Sequence, residues 1–153
     1  MSDGLTIQPA AANDHEWCAR LMASTDPWIT LGRTYDLCLA RLNRAGSILF
    51  VARRGGQPLG FLLLDPHGVA GSPYIASVAC SAEARGRGLG SAILDFAESL
   101  YPQARYIFLC VSSFNTEARR LYERRGYALV GELKDYAMDG ASEYLMSKRL
   151  VRE

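Results

Sequence analysis

The stretch that decides the fold runs from Pro73 to Leu100 and reads PYIASVACSAEARGRGLGSAILDFAESL. Its apolar run, residues 74–80, has the length of a buried strand. A segment with two arginines and three glycines follows, and apolar residues then return at helical spacing, at Leu89, Ile93, Phe96, Ala97 and Leu100. The stretch therefore predicts a strand, a loop and an amphipathic helix that begins near Gly88.

The loop of this stretch has the composition of an anion site. The first turn of a helix leaves backbone N–H groups without partners, and glycines leave those groups uncovered. Arg85 and Arg87 add positive charge, which suits a phosphate. The triphosphate loop does not match, because Leu89 follows Gly88, and the dinucleotide fingerprint does not match, because Ser91 replaces its third glycine. A glycine-rich turn with solvated arginines is the alternative.

Two motifs in this chain carry a resemblance to a known family. Arg85, Gly88 and Gly90 form Arg-x-x-Gly-x-Gly, which resembles the acyl-coenzyme A loop of the GNAT N-acetyltransferase superfamily. A second GNAT pattern, Asn-x-x-Ala-x-x-x-Tyr-x-x-x-Gly-Phe/Tyr, is similar to residues 115–127, with matches at Asn115, Ala118, Tyr122, Gly126 and Tyr127. On these two motifs, the chain is identified as a member of this superfamily.

The resemblance implies an α+β (mixed α/β) fold with a mostly antiparallel, twisted, seven-stranded sheet and about four helices. The sequence pattern agrees with it and predicts the order βααβββαβαββ in one domain, residues 1–153. Strands are expected at residues 5–9, 47–53, 57–64, 74–80, 106–111, 127–134 and 143–150. Helices are expected at residues 13–24, 34–43, 88–100 and 115–125.

Local signals refine these elements. Asn13 and Asn115 are predicted helix N-caps, and Gly126 is the expected left-handed residue after the last helix. Residues 54–56, Arg-Gly-Gly, predict a hairpin turn, and residues 65–72 predict a second turn. The inner faces of the first two helices are expected to carry Trp17, Leu21, Met22, Leu37, Cys38 and Leu42.

Composition restricts the class of protein. The chain has 153 residues, 49% of them apolar and 22% charged, with a net charge of +1, so no general nucleic-acid or membrane surface is expected. The N-terminal MSDGLTIQPA lacks the pattern of an export signal, and no apolar stretch reaches 18 residues, so a cytoplasmic protein is expected. The resemblance permits a homodimer.

The four cysteines indicate neither a metal site nor a disulfide framework. They are widely spaced, without a C-x-x-C pair, and the chain has two histidines. Cys80 and Cys110 fall in apolar runs and are interpreted as core residues. An acetyl-cysteine route through either thiol is disfavoured, because no histidine is nearby in sequence.

The resemblance implies acetyl-CoA as cofactor and assigns its contacts. The glycine loop would hold the pyrophosphate, through Arg85, Gly86, Arg87, Gly88, Leu89, Gly90 and Ser91. Main-chain groups of Val78, Ala79 and Cys80 would pair with the pantetheine arm and polarise the thioester. Asn115 would contact the cofactor as well as capping its helix. Tyr122 would contact the cofactor and act as general acid, because a tyrosine with a pKa near 10 can donate to a thiolate near 8.5.

The general base cannot be taken from familiar subgroups of the family. Residues 74–80 contain no carboxylate, unlike the histone-type relatives, and Leu-Cys-Val-Ser at residues 109–112 replaces the Leu-Glu-Val-Arg of the ribosomal-protein enzymes. Because an amine with a pKa near 10.4 is protonated at neutral pH, some group must accept its proton. The candidates are Asp36, Tyr136, Asp139, Glu143, or water relayed through Ser112 and Ser113.

The acceptor pocket is expected between the first two helices and the last hairpin. Trp28 and Tyr35 either line it or seal the core, and Tyr136 belongs to the hairpin segment 136–143 that also faces it. The interpretation is an acetyl-CoA-dependent N-acetyltransferase that acetylates a primary amine by direct attack in a ternary complex. A non-catalytic acyl-CoA sensor and transfer of a longer acyl chain are alternatives. A peptide N-terminus, protein lysine, polyamine, amino acid and aminoglycoside are all compatible acceptors.

Overall fold

Seven strands and four helices follow one another along residues 4–150, the part of the chain that the computed structural model describes. The strands are β1 (Leu5–Pro9), β2 (Ile48–Arg54), β3 (Gln57–Val69), β4 (Ser72–Cys80), β5 (Tyr106–Ser112), β6 (Ala128–Met138) and β7 (Ala141–Arg149). The helices are α1 (Asp14–Ala23), α2 (Tyr35–Leu42), α3 (Leu89–Ser99) and α4 (Thr116–Arg124). The predicted order βααβββαβαββ is confirmed.

All strands form one sheet in the order β1-β2-β3-β4-β5-β7-β6. Every neighbouring pair is antiparallel except β4 and β5, which run parallel. These two strands pair only at Tyr74 with Phe108 and at Ile75 with Leu109. Beyond Ile75 they separate, which leaves a gap in the middle of the sheet.

The sheet buries apolar side chains on both faces because its central strand alternates between two cores. Phe61 and Leu63 of β3 belong to the α1/α2 core, together with Cys18, Ala19, Met22, Cys38, Leu42, Leu49, Val51 and Ala79. Leu62 and Leu64 belong to the α3/α4 core, whose helical members are Leu89, Ile93, Leu94 and Ala97. Full burial of such a side chain contributes about 1.5–3 kcal/mol.

The first two helices differ from the prediction in detail. Asn13 precedes α1 but makes no capping hydrogen bond through its side chain; Asp14 accepts from the amide of Ala11 at 2.8 Å. Met22 is buried as expected, whereas Trp17 and Leu21 are half-buried. In α2, Cys38 and Leu42 face inward, but Leu37 is 53% exposed and lines the cleft described below. Helical spacing alone did not show that this edge of α2 borders a cleft.

Two predicted turns have different outcomes. Gly55 and Gly56 join β2 to β3 with φ of 59° and 81°, so the first turn is confirmed. The second prediction, a turn over residues 65–72, is wrong, because β3 continues to Val69 and the turn is only Ala70 and Gly71. A register shift between Asp65 and Val69 accommodates the proline and glycine of this segment within a strand.

The motif-bearing helices agree with the prediction. Helix α3 begins at Leu89 after Gly88, whose φ of 81° favours glycine. Helix α4 begins after Asn115, whose side-chain oxygen accepts from the Ala118 amide at 3.3 Å. Gly126 follows α4 with a φ of 97°. Cys80 and Cys110, predicted as core residues, are only half-buried, because both lie where β4 and β5 have separated.

No helix within residues 4–150 combines the length and the apolar character needed to cross a membrane. Over the same residues, no group of three histidine, cysteine or acidic side chains converges on a common point.

Candidate active site

A cleft of about 570 Å³ opens where β4 and β5 separate. Its walls come from both strands, from α2 and the loop before it, from the start of α4 and from the last hairpin. These segments are distant in sequence, so the cleft exists only because the sheet brings them together. The hairpin segment 136–143, predicted as a connection, is mostly strand, because β6 continues to Met138 and only Asp139 and Gly140 form the turn.

The cleft unites several of the residues predicted for different roles. Val78, Asn115 and Tyr122 line it together with Trp28 and Tyr136. Trp28 also packs against the α1/α2 core, so it both lines the cleft and seals the core. Tyr35 packs against that core but is not among the lining residues.

The free edge of β4 presents backbone groups to the gap. The amide of Ser81 donates to the carbonyl of Leu59 on β3 at 2.8 Å. Backbone groups alternate in direction along an antiparallel strand, so those of Val78 and Cys80 point away from β3, toward the gap. Ala79 lies between them, with its side chain buried and its backbone groups directed at β3.

The glycine loop lies just beyond the end of β4, at the N-terminus of α3. Gly86 and Gly88 have φ of 74° and 81°, and residues 85–88 are exposed. A Cβ atom added to either glycine would have no neighbour within 4 Å, so the backbone of the loop faces open space. Nε of Arg85 donates to the carbonyl of Cys80 at 3.2 Å, which ties the loop to the end of β4. Leu89 is buried beneath the loop, whereas Gly90 and Ser91 are half-buried.

Tyr122 projects from α4 into the cleft and is half-buried. Its ring contacts that of Tyr127 edge-on, with centroids 6.1 Å apart, and the Tyr127 hydroxyl donates to Oε2 of Glu98 at 2.9 Å. Burial raises the pKa of Tyr122 to about 12, with a smaller contribution from Cys80. The hydroxyl is therefore protonated at neutral pH, in the form that can donate a proton.

Glu143 is the acidic side chain that faces the cleft from the last hairpin. Its Oε2 accepts a 2.7 Å hydrogen bond from the hydroxyl of Ser112. Burial raises the pKa of Glu143, while the Ser112 hydrogen bond and the charge of Arg33 act in the opposite direction. A half-buried carboxylate with a raised pKa is suited to accepting a proton.

The other candidate bases are placed differently. Asp36 and Asp139 are exposed and do not line the cleft. Ser113 accepts a 3.1 Å hydrogen bond from the amide of Ser142 and lies outside the lining. Tyr136 lines the cleft at its rim with 72% of its surface exposed. The structure thus brings Glu143 and Ser112 into the cleft, with Tyr136 at the edge.

The two central cysteines have the properties of protonated thiols. Burial raises the pKa of Cys80 to about 11, and burial also raises the pKa of Cys110. Nucleophilic cysteines need the opposite shift. The environment of both residues therefore argues against a covalent acetyl-cysteine route.

Sequence reasoning missed several residues that line the cleft, and four of them carry basic or phenolic side chains. Arg33, Arg41 and Arg44 face it from α2 and its flanks, and Tyr74 faces it from the start of β4. Burial raises the pKa of Tyr74, which lies close to Cys110 and Glu143. The one signal available in the sequence was the three arginines spaced along residues 33–44, which an ordinary solvated helix face would also show.

The fold and motifs have counterparts among known proteins. The model of the acetyltransferase (GNAT) family matches residues 11–127. An uncharacterized N-acetyltransferase of Methanocaldococcus jannaschii is 36% identical over 103 residues, which cover 65% of this chain and 65% of that relative. The matched region thus spans about two thirds of the curated relative.

Solved structures share the fold over nearly the whole chain. Ard1 from Thermoplasma volcanium has a TM-score of 0.78 at 24% identity and covers 97% of this chain and 99% of its own. A GNAT family acetyltransferase from Elizabethkingia anophelis, solved with acetyl-CoA bound, has a TM-score of 0.74 at 16% identity and covers 97% and 100%. The ribosomal-protein-S18-alanine N-acetyltransferase from Escherichia coli has a TM-score of 0.77 at 16% identity and covers 97% and 96%. Because the family model spans most of the chain, the protein belongs to the GNAT acetyltransferase family.

Proposed function

We propose that the protein transfers the acetyl group of acetyl-CoA to a primary amine of a small molecule or peptide, by direct attack in a ternary complex. Tyr122 acts as general acid and Glu143 accepts the proton of the amine. The observation that carries this proposal is that Tyr122 and Glu143 line one cleft, which opens at the separated edges of β4 and β5.

The residues around the gap are suited to hold acetyl-CoA. The backbone groups of Val78 and Cys80 are directed at the gap, where an extended chain can pair with them as an added strand. The exposed loop of residues 85–88 and the first turn of α3 offer amides to a pyrophosphate, and Arg85 and Arg87 add charge. When bound, the cofactor supplies an acetyl group activated as a thioester. A solved relative of the same fold carries acetyl-CoA, which supports this choice.

Tyr122 is proposed to protonate the departing sulfur. A pKa of about 12 is above that of a free thiol, which would make the donation costly if the sulfur were in water. A sulfur in the same surroundings is also desolvated, as Cys80 illustrates with a pKa of about 11. Burial thus raises the pKa of both the group that donates the proton and the sulfur that accepts it, which keeps proton donation in this pocket accessible.

Glu143 is proposed to remove the proton of the amine, directly or through water. Its carboxylate is oriented by Ser112, which donates to one oxygen and leaves the other available. The raised pKa of Glu143 makes it a stronger base than an exposed glutamate. The proton then leaves the amine as the new amide bond forms.

The test is release of coenzyme A thiol from acetyl-CoA across a panel of amines, with Tyr122→Phe and Glu143→Gln measured beside the wild type. Amide formation is followed by mass spectrometry, and acetyl-CoA affinity by calorimetry. Turnover that collapses in both variants while acetyl-CoA binding persists is the expected result. Tight acetyl-CoA binding without turnover of any amine would instead favour an acyl-CoA sensor.

A further inference from the structure

We propose that the acceptor is an amine that carries a carboxylate close to the reacting nitrogen, with Arg33 and Arg44 binding the carboxylate and Glu143 facing the amine. This inference rests on the proposed N-acetyltransferase function and names the class of its acceptor. The chemistry is shared by free α-amino acids and by peptides with an acidic residue at the N-terminus.

The first observation is that, among the described residues, the guanidinium of Arg33 has no partner in the cleft. Arg33 lines the cleft and is exposed, and its guanidinium takes part in none of the side-chain hydrogen bonds or ion pairs found within residues 4–150; only its backbone is bonded, to Trp28 and Cys38. Burial raises the pKa of Cys38 and of Glu143 in the cleft, and the charge of Arg33 offsets part of that rise at both residues. Asp26 of the same loop also lines the cleft but forms no ion pair with Arg33; its Oδ1 accepts from the amide and hydroxyl of Thr30 at 3.0 and 2.6 Å.

The second observation is that two further arginines share one carboxylate. Nη2 of Arg41 lies 2.8 Å from Oδ2 of Asp65, and Nη2 of Arg44 lies 3.6 Å from the same oxygen. Arg41 also donates to the hydroxyl of Ser47 at 3.0 Å, so it is well satisfied. Within residues 4–150 the Arg44 side chain has only this longer contact, and 60% of it is exposed, so most of its donors are available to a ligand.

The third observation is the separation of opposite charges across the cleft. The charge of Arg33 acts on Glu143, but the two side chains, both in the cleft lining, do not form an ion pair. An acceptor that places its amine at Glu143 and an anionic group at Arg33 complements both charges at once. Guanidinium groups bind carboxylates through two parallel hydrogen bonds, which adds orientation to affinity.

The same arrangement disfavours polyamines. A second ammonium group on the acceptor would approach the guanidinium groups of Arg33, Arg41 and Arg44, which repel it. The lining also includes the apolar side chains of Trp28, Leu31 and Leu37 and the ring of Tyr136, so the side chain of the acceptor has an apolar surface to contact.

The experiment compares matched acceptors that differ only in the anionic group. Phenylalanine is compared with phenylalaninamide, and a peptide beginning Asp-Ala with one beginning Asn-Ala; spermidine is included as a polycation. We expect kcat/KM to be about 10- to 100-fold higher for the anionic member of one or both pairs, the effect of a charged hydrogen-bonded contact. The pair that shows the preference identifies the source of the carboxylate.

Arg33→Gln should reduce the ratio of the anionic to the neutral acceptor toward one, chiefly through KM, and Arg44→Gln should reduce it less. Arg20→Gln, on the exposed side of α1, is the matched control and should keep the wild-type ratio. Equal rates for both members of each pair, or a preference for spermidine, would overturn the acceptor assignment while leaving the acetyltransferase function intact. Absence of turnover with every amine would overturn the proposed function and this assignment with it.

Discussion

The hydroxyl of Ser112 donates a 2.7 Å hydrogen bond to Oε2 of Glu143, and the two residues face each other across the β5–β7 ladder. The contact is therefore built by backbone pairing, which fixes where both side chains start. It points the carboxylate at the cleft that opens beside β4. Backbone register, more than side-chain packing, positions the group that we propose as proton acceptor.

Replacing Glu143 should lower the activity of the enzyme without lowering its stability. Glu143→Gln should lower kcat by about 100-fold or more, because general base catalysis contributes a factor of that order. In the wild type, kcat should fall as pH decreases through the raised pKa of Glu143, above its ordinary value of 4.5. Glu132→Gln, on the exposed face of β6, is the control. An unaltered pH profile in Glu143→Gln would rule out this residue as base.

The same variant should be more stable at neutral pH. Because burial raises the pKa of Glu143, the folded protein binds this proton more tightly than the unfolded chain does. Stability is therefore lost as pH rises from about 4.5, the unfolded value, through the folded pKa. The melting temperatures of the wild type and of Glu143→Gln should be equal below this pH range. Above it, the melting temperature of the variant should be higher. A variant that melts lower at pH 7 would show that the ionised carboxylate is stabilising.

Tyr122→Phe should lower turnover by about 10- to 1000-fold with little change in acetyl-CoA affinity. The ring contact with Tyr127 is kept, since only the hydroxyl is removed. Tyr106→Phe, at the start of β5 and away from the cleft, serves as the matched control. Rates are measured by thiol release at saturating substrate. Wild-type turnover in Tyr122→Phe would exclude this hydroxyl from the mechanism.

Gly88→Ala should weaken acetyl-CoA binding, by about 10-fold in Kd, a modest loss of binding free energy. An alanine at φ 81° is strained by about 1–2 kcal/mol, and its methyl group covers backbone that is otherwise exposed. Gly46→Ala is a close match, with φ 90° and nothing within 4 Å, in a turn before β2. Both variants should lose similar stability in thermal unfolding, but only Gly88→Ala should lose affinity in calorimetry.

Gly60→Ala, on β3, should displace the backbone of the neighbouring strand β4. A Cβ at this position would lie 2.6 Å from the carbonyl oxygen of Ala79, so the backbone of β4 must shift. We expect a loss of about 1–3 kcal/mol in unfolding free energy, as for other overpacked positions, with weaker acetyl-CoA binding. Gly131→Ala on β6, where nothing lies within 4 Å, should change neither quantity. Wild-type stability of Gly60→Ala would show that the backbone of β4 can shift without a loss of unfolding free energy.

The sequence predicted those features that depend on short stretches of chain. The start of α3 after Gly88, the Asn115 cap and the left-handed Gly126 each depend on a few adjacent residues, and all three are confirmed. Asn13 is predicted as a cap by the same reasoning and does precede α1, but its side chain makes no capping hydrogen bond. The nearby side-chain bond, from the Ala11 amide to Asp14, involves an amide before the helix and does not replace the cap.

Other features depend on contacts between distant segments. The strand character of residues 65–69 comes from pairing with β4, which overrides the turn tendency of proline and glycine. The candidate bases were equivalent in the sequence, and only the β5–β7 pairing separates Glu143 from Asp36 and Asp139. Arg33, Arg41 and Arg44 could be identified as residues of the same cleft only from the fold.

The two residue pairs that join β4 to β5 also bear on how the protein folds. Strands β1 to β4 occupy residues 5–80 and β5 to β7 occupy residues 106–149, and within each group every pairing is antiparallel. The junction is held by two residue pairs, whereas every other neighbouring pair of strands is held by at least five. We therefore expect the junction to form last and to open first, with the fastest amide exchange in the sheet interior at the strand ends beside it. The cleft would then lie at the part of the sheet that opens most easily. A ligand bound there would contribute most to holding strands β1 to β4 and strands β5 to β7 together.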